Sequence, residues 1–303
     1  MTSHHGHHHA PPTTFSSAFA IGVGLNAAFV LVEAAFGFWA DSLALLADAG
    51  HNLSDVLGLL LAWGASYLAR RRPSSRRTYG LRRSSILAAL ANALLLLVAV
   101  GAIAWEAIGR LRQPGSVVPT AVIVVAGVGV VINTLTALLF LSGRKHDLNV
   151  RGAFLHMAAD AAVSLGVVIG GIIMSRTGWT WLDPALSLVI AAVIAISTWD
   201  LLWQAVDLSL DSVPRGIDSE AVRAYLAALP GVAAVHDLHI WALSTTETAL
   251  TAHLVRPSAQ IDDDWLHQVA HELHDRFHIS HSTIQIESGQ GQHSCHLAPD
   301  DVV

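Results

Sequence analysis

Long apolar segments alternate with short polar ones over the first two thirds of the chain. Each apolar segment exceeds the roughly 20 residues that an α-helix needs to cross the hydrocarbon core of a bilayer. This pattern predicts a polytopic α-helical membrane protein with six transmembrane helices. The predicted spans are residues 15–39, 42–69, 84–110, 117–141, 150–175 and 181–204.

The pattern changes after residue 210. Two segments then repeat apolar residues at helical spacing, and three segments alternate apolar and polar residues as half-buried strands do. The order α-β-β-α-β predicts a compact α+β module with its helices on one face of a sheet. The predicted helices are residues 219–229 and 262–277, and the predicted strands are residues 232–243, 248–255 and 282–287.

Positive charge is concentrated in two of the five loops. Seven arginines lie in loop 70–83, and three further cations lie around the fourth loop. Because loops rich in arginine and lysine stay in the cytoplasm, both chain termini are predicted to be cytoplasmic. Membrane topology explains these arginines, so nucleic-acid binding is not expected. The fourth-loop cations are Arg144, Lys145 and Arg151.

The composition agrees with this organisation. Hydrophobic residues make up 53% of the chain and charged residues 13%, which excludes an ordinary soluble protein. The predicted domains are a His-rich disordered cytoplasmic leader (1–14), a six-span transmembrane domain (15–210), a cytoplasmic metal-binding α+β domain (211–289) and a C-terminal tail (290–303).

A polar stripe interrupts the second apolar segment. Asp48, His51, Asn52 and Asp55 fall at i, i+3, i+4 and i+7, so a helix places all four on one face. Each aspartate costs roughly 3 kcal/mol at the centre of a membrane helix, which indicates an inward-facing function. For Asp48 and Asn52, two interpretations remain: they orient an imidazole, or they bridge helices.

The stripe has a counterpart in the fifth apolar segment. His51 and Asp55 form a His-x-x-x-Asp pair, and His156 and Asp160 repeat it. One helical turn separates the members of each pair, so each helix offers an imidazole beside a carboxylate. Two such helices packed together would present two nitrogens and two oxygens to one point. That ligand set predicts a tetrahedral site for a divalent cation.

Other polar residues lie in the apolar segments. Asn26, Glu33, Glu106 and Asn133 either line a pathway or form bonds between helices. Asp183 precedes Pro184 at the start of the sixth segment, where the beginning of a helix is a sufficient explanation.

The α+β module is rich in histidine. His236 and His253 lie on adjacent predicted strands and could share a metal with Glu287 on the third strand. The second predicted helix carries histidines at i, i+4 and i+7, which are either ligands, with His267 the best candidate, or an exposed face. The tail cluster is either a set of soft metal ligands or a solvent-exposed segment, and the leader cluster is either a native metal-binding tract or the remnant of a purification tag. The helix set is His267, His271 and His274; the tail set is His293, Cys295 and His296; the leader set is His4, His5, His7, His8 and His9.

At these positions the sequence resembles the cation diffusion facilitator family, in its bacterial zinc (cadmium/cobalt) efflux branch. The resemblance lies in DSLALLADAGHNLSD (41–55), HMAAD (156–160), VHDLHIWAL (235–243) and TIQIE (283–287). It implies a homodimeric antiporter of the bacterial inner membrane that exports Zn²⁺ in exchange for protons. It also implies a ferredoxin-like cytoplasmic domain, no enzymatic activity and no prosthetic group.

The resemblance assigns residues to two metal sites. The transport site maps onto His51, Asp55, His156 and Asp160, and the pairing of two histidines with two aspartates resembles the zinc-selective version. Zn²⁺ would be the substrate and a regulatory ligand, with Cd²⁺ and Co²⁺ as other cargoes. A metal site on the second loop is not expected, because that loop lacks histidine and aspartate. The cytoplasmic site maps onto His236, His253 and Glu287, with His267 as a further ligand.

Two other functions compete with transport. A metallo-enzyme would need an open metal position for water and a general base. The four transmembrane ligands could fill every position, and the chain has no His-Glu-x-x-His motif. A membrane metal sensor that does not transport would use the histidine-rich module alone, but polar residues in several spans argue against it.

Overall fold

A computed structural model describes residues 17–69, 71–113, 115–140, 148–257, 263–289, 295 and 297. Six long helices come first, and their bounds agree with the predicted spans to within a few residues. They are α1 (Ser17–Trp39), α2 (Leu43–Ala69), α3 (Ser84–Arg112), α4 (Pro119–Phe140), α5 (Leu148–Thr177) and α6 (Leu182–Ser209).

Five of these helices contain apolar stretches of the kind found in membrane spans. In the described part of the chain, α3, α4, α5 and α6 each contain a stretch long and apolar enough to cross a bilayer, and α1 adds a shorter apolar stretch. Large apolar side chains such as Leu95, Val98 and Trp105 of α3 and Ile196 of α6 are exposed, as lipid-facing residues are. The prediction of a polytopic α-helical membrane domain is confirmed.

Small residues allow the transmembrane helices to approach closely. A Cβ atom on Gly171 of α5 would lie 2.8 Å from Ile123 of α4, and one on Gly129 of α4 would lie 2.9 Å from Phe29 of α1. Without lipid-driven hydrophobic association, such close contact is a main source of helix packing in membranes. It fixes α5 against α4, and therefore positions the polar face of α5.

Asp183 of α6 caps the N-terminus of α2. Its fully buried carboxylate accepts hydrogen bonds from the Ser42 hydroxyl and from the backbone N–H groups of Leu43 (2.7 Å) and Ala44 (3.4 Å). These donors would otherwise be unsatisfied at the start of a helix. The explanation of Asp183 as the start of α6 is therefore incomplete, because the residue also anchors the helix that carries the polar stripe.

Replacing Asp183 by alanine is expected to destabilise the protein by about 3 kcal/mol, because it leaves buried donors without an acceptor. The midpoint of thermal unfolding in detergent should fall by at least about 5 °C. The control is Asp200→Ala on the same helix, where the exposed aspartate pairs with the exposed Arg215, and such an exposed pair contributes little to stability. Equal midpoints for the two variants would rule out the capping role.

The C-terminal module has the predicted order αββαβ. Strands β1 and β2 are antiparallel, β2 and β3 are parallel, and the sheet order is β1-β2-β3. Buried Leu226, Leu250, Leu254 and Leu273 belong to one core formed by both helices and the sheet. The elements are α7 (Ser219–Ala227), β1 (Ala234–Ala242), β2 (Thr248–Val255), α8 (Asp263–Phe277) and β3 (His281–Glu287).

Part of the arginine-rich second loop contacts this module. Arg82 forms an ion pair with Glu247 (2.9 Å), Arg83 pairs with Asp211, and the Ser85 hydroxyl accepts a hydrogen bond from the backbone N–H of Thr245 (3.0 Å). These arginines therefore bind acidic side chains in addition to the topological role that the sequence predicts for the loop.

Candidate metal centres

The first candidate centre lies between α2 and α5. His51 and Asp55 project from one turn of α2, and His156 and Asp160 from one turn of α5. His51 Nε2 is 3.4 Å from Asp160 Oδ1 and 3.9 Å from Asp55 Oδ2. His156 Nε2 is 3.1 Å from Asp55 Oδ2 and 3.7 Å from Asp160 Oδ2. The structure thus brings together all four residues that the sequence assigns to a transport site.

Ligand atoms of Asp55, His156 and Asp160 all lie within 4.8 Å of one another, and His51 lies beside them, next to Asp160. With metal–ligand bonds of 2.0 to 2.2 Å, neighbouring ligand atoms of a tetrahedral zinc site are about 3.3 to 3.6 Å apart. Each imidazole contacts both carboxylates, and Asp160 Oδ2 receives no hydrogen bond in the described part of the chain. An acceptor oxygen without a donor, beside two imidazoles, is suited to a cation.

The cluster is more exposed on one side than on the other. The exposed fraction of the side chain is 42% for His156 and 35% for Asp55, but 20% for His51 and 3% for Asp160. Asp55 and His156 are the members closer to the ends of α2 and α5 that join the arginine-rich loops. The open side of the cluster therefore faces the predicted cytoplasmic ends of the helices.

A second set of polar side chains adjoins the cluster. Asn52 donates a hydrogen bond to Glu33 of α1 (3.3 Å), and Ser164 of α5 donates one to Asp48 (3.0 Å). Of the two interpretations left open for Asp48 and Asn52, these hydrogen bonds favour bridging between helices. Glu33 likewise forms a bond between helices.

Three further polar residues of the transmembrane helices differ in whether they bond to another helix. Asn26 donates a weak bond to Met157 of α5 (3.8 Å), and Glu106 accepts one from Arg110 on its own helix (2.9 Å). The buried amide of Asn133 has no hydrogen-bond partner among the described residues. Only Asn26 among these three therefore connects two helices.

The second candidate centre lies on the sheet of the C-terminal module. Antiparallel pairing sets His236 directly opposite His253, and parallel pairing brings β3 alongside with Glu287 at its end. His253 Nδ1 is 3.0 Å from Glu287 Oε1, and His236 Nε2 is 3.4 Å from Glu287 Oε2. The three residues that the sequence groups by strand position do lie together.

A cysteine from the tail joins this centre. The sulfur of Cys295 is 3.7 Å from His253 Nδ1, and ligand atoms of His236, His253, Glu287 and Cys295 all lie within 4.8 Å of one another. Two imidazoles, a carboxylate and a thiolate form a suitable set for Zn²⁺. Cys295 belongs to the tail cluster of the sequence, whose other members, His293 and His296, lie outside the described residues, as do the leader histidines.

Asp237 was not singled out from the sequence, yet it contacts two histidines. It lies at a bulge of β1 with a positive φ of 51°, and its carboxylate is 3.3 Å from His253 Nε2 and 2.8 Å from His239 Nε2. A carboxylate on the far nitrogen fixes the tautomer and the orientation of a metal-binding imidazole. Asp237 can therefore direct His253 Nδ1 towards the centre.

His267 has no place in this cluster as the structure describes it. It is exposed on α8, two residues from buried Val269, so it lies on a different face of the helix from the core. His271 and His274 are also exposed, and both contact Asp275. For the helical histidines the geometry fits the exposed-face interpretation.

Comparison with known proteins identifies the family. The family model for the cation efflux transmembrane domain matches residues 19–208, and the model for the cytoplasmic domain of cation efflux proteins matches residues 214–289. The chain belongs to the cation efflux, or cation diffusion facilitator, family. This result confirms the resemblance seen in the motifs.

Several relatives of this cation efflux protein are similar over nearly their whole length. The metal cation efflux system protein CzcD of Cupriavidus metallidurans is 38% identical, over 93% of this chain and 90% of its own. The zinc transporter ZitB of Escherichia coli is 37% identical, over 98% and 96%. A cadmium, cobalt and zinc/H⁺-K⁺ antiporter of Bacillus velezensis is 33% identical, over 95% and 93%.

Proposed function

We propose that this protein exports Zn²⁺ from the cytoplasm across the bacterial inner membrane in exchange for protons. The observation that supports this most strongly is the cluster between α2 and α5, in which each imidazole lies 3.1 to 3.9 Å from an oxygen of both aspartates, because imidazole nitrogen and carboxylate oxygen are ligands of Zn²⁺. Family membership supports divalent cation efflux, and the names of the relatives support zinc as a cargo, with cadmium and cobalt as others.

The same residues couple the metal to protons. Zn²⁺ binds imidazole only in its deprotonated form, so metal arriving at His51 and His156 displaces protons from them. Asp55 and Asp160 balance the charge of the cation. After the site opens to the more acidic outer side, protonation of the imidazoles weakens the hold on the metal and releases it.

The cytoplasmic centre has a regulatory role in this proposal. Zn²⁺ held by His236, His253, Glu287 and Cys295 would signal a high cytoplasmic zinc concentration. The matched cytoplasmic domain supports a homodimer, in which metal on each module biases how the two protomers associate. Protons, divalent metal ions, the lipid bilayer and a second copy of the chain are the partners.

Transport is favoured over its two competitors. A sensor would not need the ionisable side chains of α2 and α5, and placing such side chains within the membrane costs free energy. In a metallo-enzyme, water must occupy an open metal position, whereas two histidines and two aspartates here can supply all four ligands. Zn²⁺ is thus treated as a substrate and a regulator, and no prosthetic group is assigned.

The test is ⁶⁵Zn²⁺ uptake into inside-out proteoliposomes that contain the full-length protein. An acidic lumen should accelerate uptake at least about tenfold over vesicles without a gradient, because protons leaving the lumen drive metal into it. A protonophore should remove the acceleration, and protein-free vesicles give the background. Uptake at the same rate with and without the gradient would contradict proton-coupled export.

A further inference from the structure

Two carboxyl groups are completely buried beside the transport cluster without belonging to it. Glu33 of α1 and Asp48 of α2 each have 0% exposure. Ionised carboxylates at such positions need a cation or several donors to offset their lost hydration. Among the described residues, no lysine or arginine forms an ion pair with either group. Another source of neutralisation is therefore required.

The hydrogen bonds account for only half of the four oxygens. Asn52 donates to Glu33 Oε2 and Ser164 donates to Asp48 Oδ2, whereas Glu33 Oε1 and Asp48 Oδ1 receive no donor from the described residues. Glu33 and Asp48 nevertheless lie close enough to each other to interact. An ionised carboxylate can only accept a hydrogen bond, so a bond between these two groups requires a proton on one of them.

The pair occupies a defined level of the helix bundle. Asp48 precedes His51 by three residues, and Ser164 follows Asp160 by four. The pair therefore lies about one helical turn, roughly 5 Å, from the metal ligands along α2 and α5, on the side away from the arginine-rich loops. His51 and Asp160 are the titratable groups of those helices that act electrostatically on Asp48.

We propose that Glu33 and Asp48 share one proton and form a proton-binding site of the transport cycle, separate from the metal ligands. The inference rests on the proposed function, because it assigns one of the exchanged protons to this pair. Two like charges this close and this deeply buried cannot both ionise in the absence of a cation. Zn²⁺ in the cluster supplies that cation and repels the shared proton.

One proton binds to and leaves the Glu33–Asp48 pair for each Zn²⁺ that crosses the membrane. When Zn²⁺ enters the cluster, the proton on the Glu33–Asp48 pair leaves to the cytoplasm through the open side at Asp55 and His156, and the metal charge offsets the second carboxylate. When Zn²⁺ leaves outward, a proton from the outer phase returns to the pair. Each turn of the cycle carries one proton inward by this route while one Zn²⁺ moves outward.

The alternative is that Glu33, Asp48, Asn52 and Ser164 only brace α1, α2 and α5 against one another. Glu33→Gln separates the two roles. The glutamine carbonyl can still accept from Asn52, and its NH₂ group can donate to Asp48 as the shared proton does. The bracing therefore survives, but the group can no longer release a proton.

The experiment uses the full-length protein in inside-out proteoliposomes with ⁶⁵Zn²⁺ outside and a pH indicator in the lumen. Glu33→Gln should keep its zinc affinity within about threefold, lose at least about tenfold of the gradient-driven uptake rate, and move one proton fewer per zinc. The matched control is Glu106→Gln on α3, whose exposed carboxylate pairs with Arg110 and which should resemble the wild type. Unchanged proton stoichiometry and rate in Glu33→Gln would overturn the inference.

A second measurement does not depend on transport and begins with the wild type. Infrared difference spectra of the wild type should show loss of a protonated carboxylic-acid carbonyl band when Zn²⁺ is added. The same loss should be absent in Asp48→Asn and present in Glu106→Gln. No such loss in the wild type would refute the shared proton. Wild-type uptake that ignores the gradient, with the band change intact, would instead refute the proposed antiport while leaving the proton site in place.

Discussion

Replacing Asp160 by asparagine is expected to lower Zn²⁺ transport by at least about 100-fold. Loss of a mere supporting residue around a metal already costs about 10- to 100-fold, and Asp160 is a direct ligand in this account. It is the least exposed member of the cluster and contacts both His51 (3.4 Å) and His156 (3.7 Å). The uncharged amide would leave Zn²⁺ with a single carboxylate in a membrane interior.

The rate of ⁶⁵Zn²⁺ uptake into proteoliposomes measures this effect. The matched control is Asp200→Asn, the same chemical change at an exposed position of α6 that pairs with Arg215. It should keep more than about half of the wild-type rate, since exposed ion pairs contribute little. An Asp160→Asn protein that transports as well as the control would show that the cluster does not carry the metal.

Replacing His253 by alanine is expected to weaken zinc binding at the cytoplasmic centre by at least about 100-fold. His253 has the most contacts of that cluster, with Glu287 (3.0 Å), Cys295 (3.7 Å) and Asp237 (3.3 Å). Its removal deletes a ligand together with the group that Asp237 orients. Affinity is measured by competition with a chromophoric chelator in full-length Asp160→Asn, so that only the cytoplasmic centre is titrated.

The control for this substitution is His271→Ala. That histidine is 65% exposed on α8 and contacts Asp275, so its loss should leave the affinity unchanged. In a companion variant, Cys295→Ser, bound Co²⁺ should lose the sulfur-to-metal charge-transfer absorption that the wild type shows. Equal zinc affinities for His253→Ala and His271→Ala would remove this centre from the account.

The membrane helices could be predicted from the sequence, because a single segment that crosses lipid must be a helix. A long apolar segment must satisfy its own backbone, so length and hydropathy locate α1 to α6 to within a few residues. The grouping of His51 with Asp55 and of His156 with Asp160 is likewise local, since it follows from one turn of helix. That the two pairs face each other was an inference from ligand chemistry, and the structure places them accordingly.

Interactions that depend on the path of distant segments were not predictable. Asp183 caps α2 only because α6 begins beside it, and no local pattern indicates this contact. Cys295 reaches His253 by the course of the tail, and Asp237 reaches it through a positive-φ bulge. The position of His267 was not predictable either, because helical spacing alone does not reveal which face of α8 packs against the sheet. Local spacing thus predicts candidate ligands, whereas tertiary packing selects among them.

Zinc-edge X-ray absorption on full-length His253→Ala protein, loaded with one Zn²⁺ per chain, identifies the ligands of the transported metal. We expect four nitrogen or oxygen neighbours at about 2.0 to 2.2 Å, scattering from two imidazole rings, and no sulfur. The zinc should no longer be retained when Asp160→Asn is added. A six-coordinate oxygen shell without imidazole, or a sulfur neighbour, would contradict the assignment of the transported metal to His51, Asp55, His156 and Asp160.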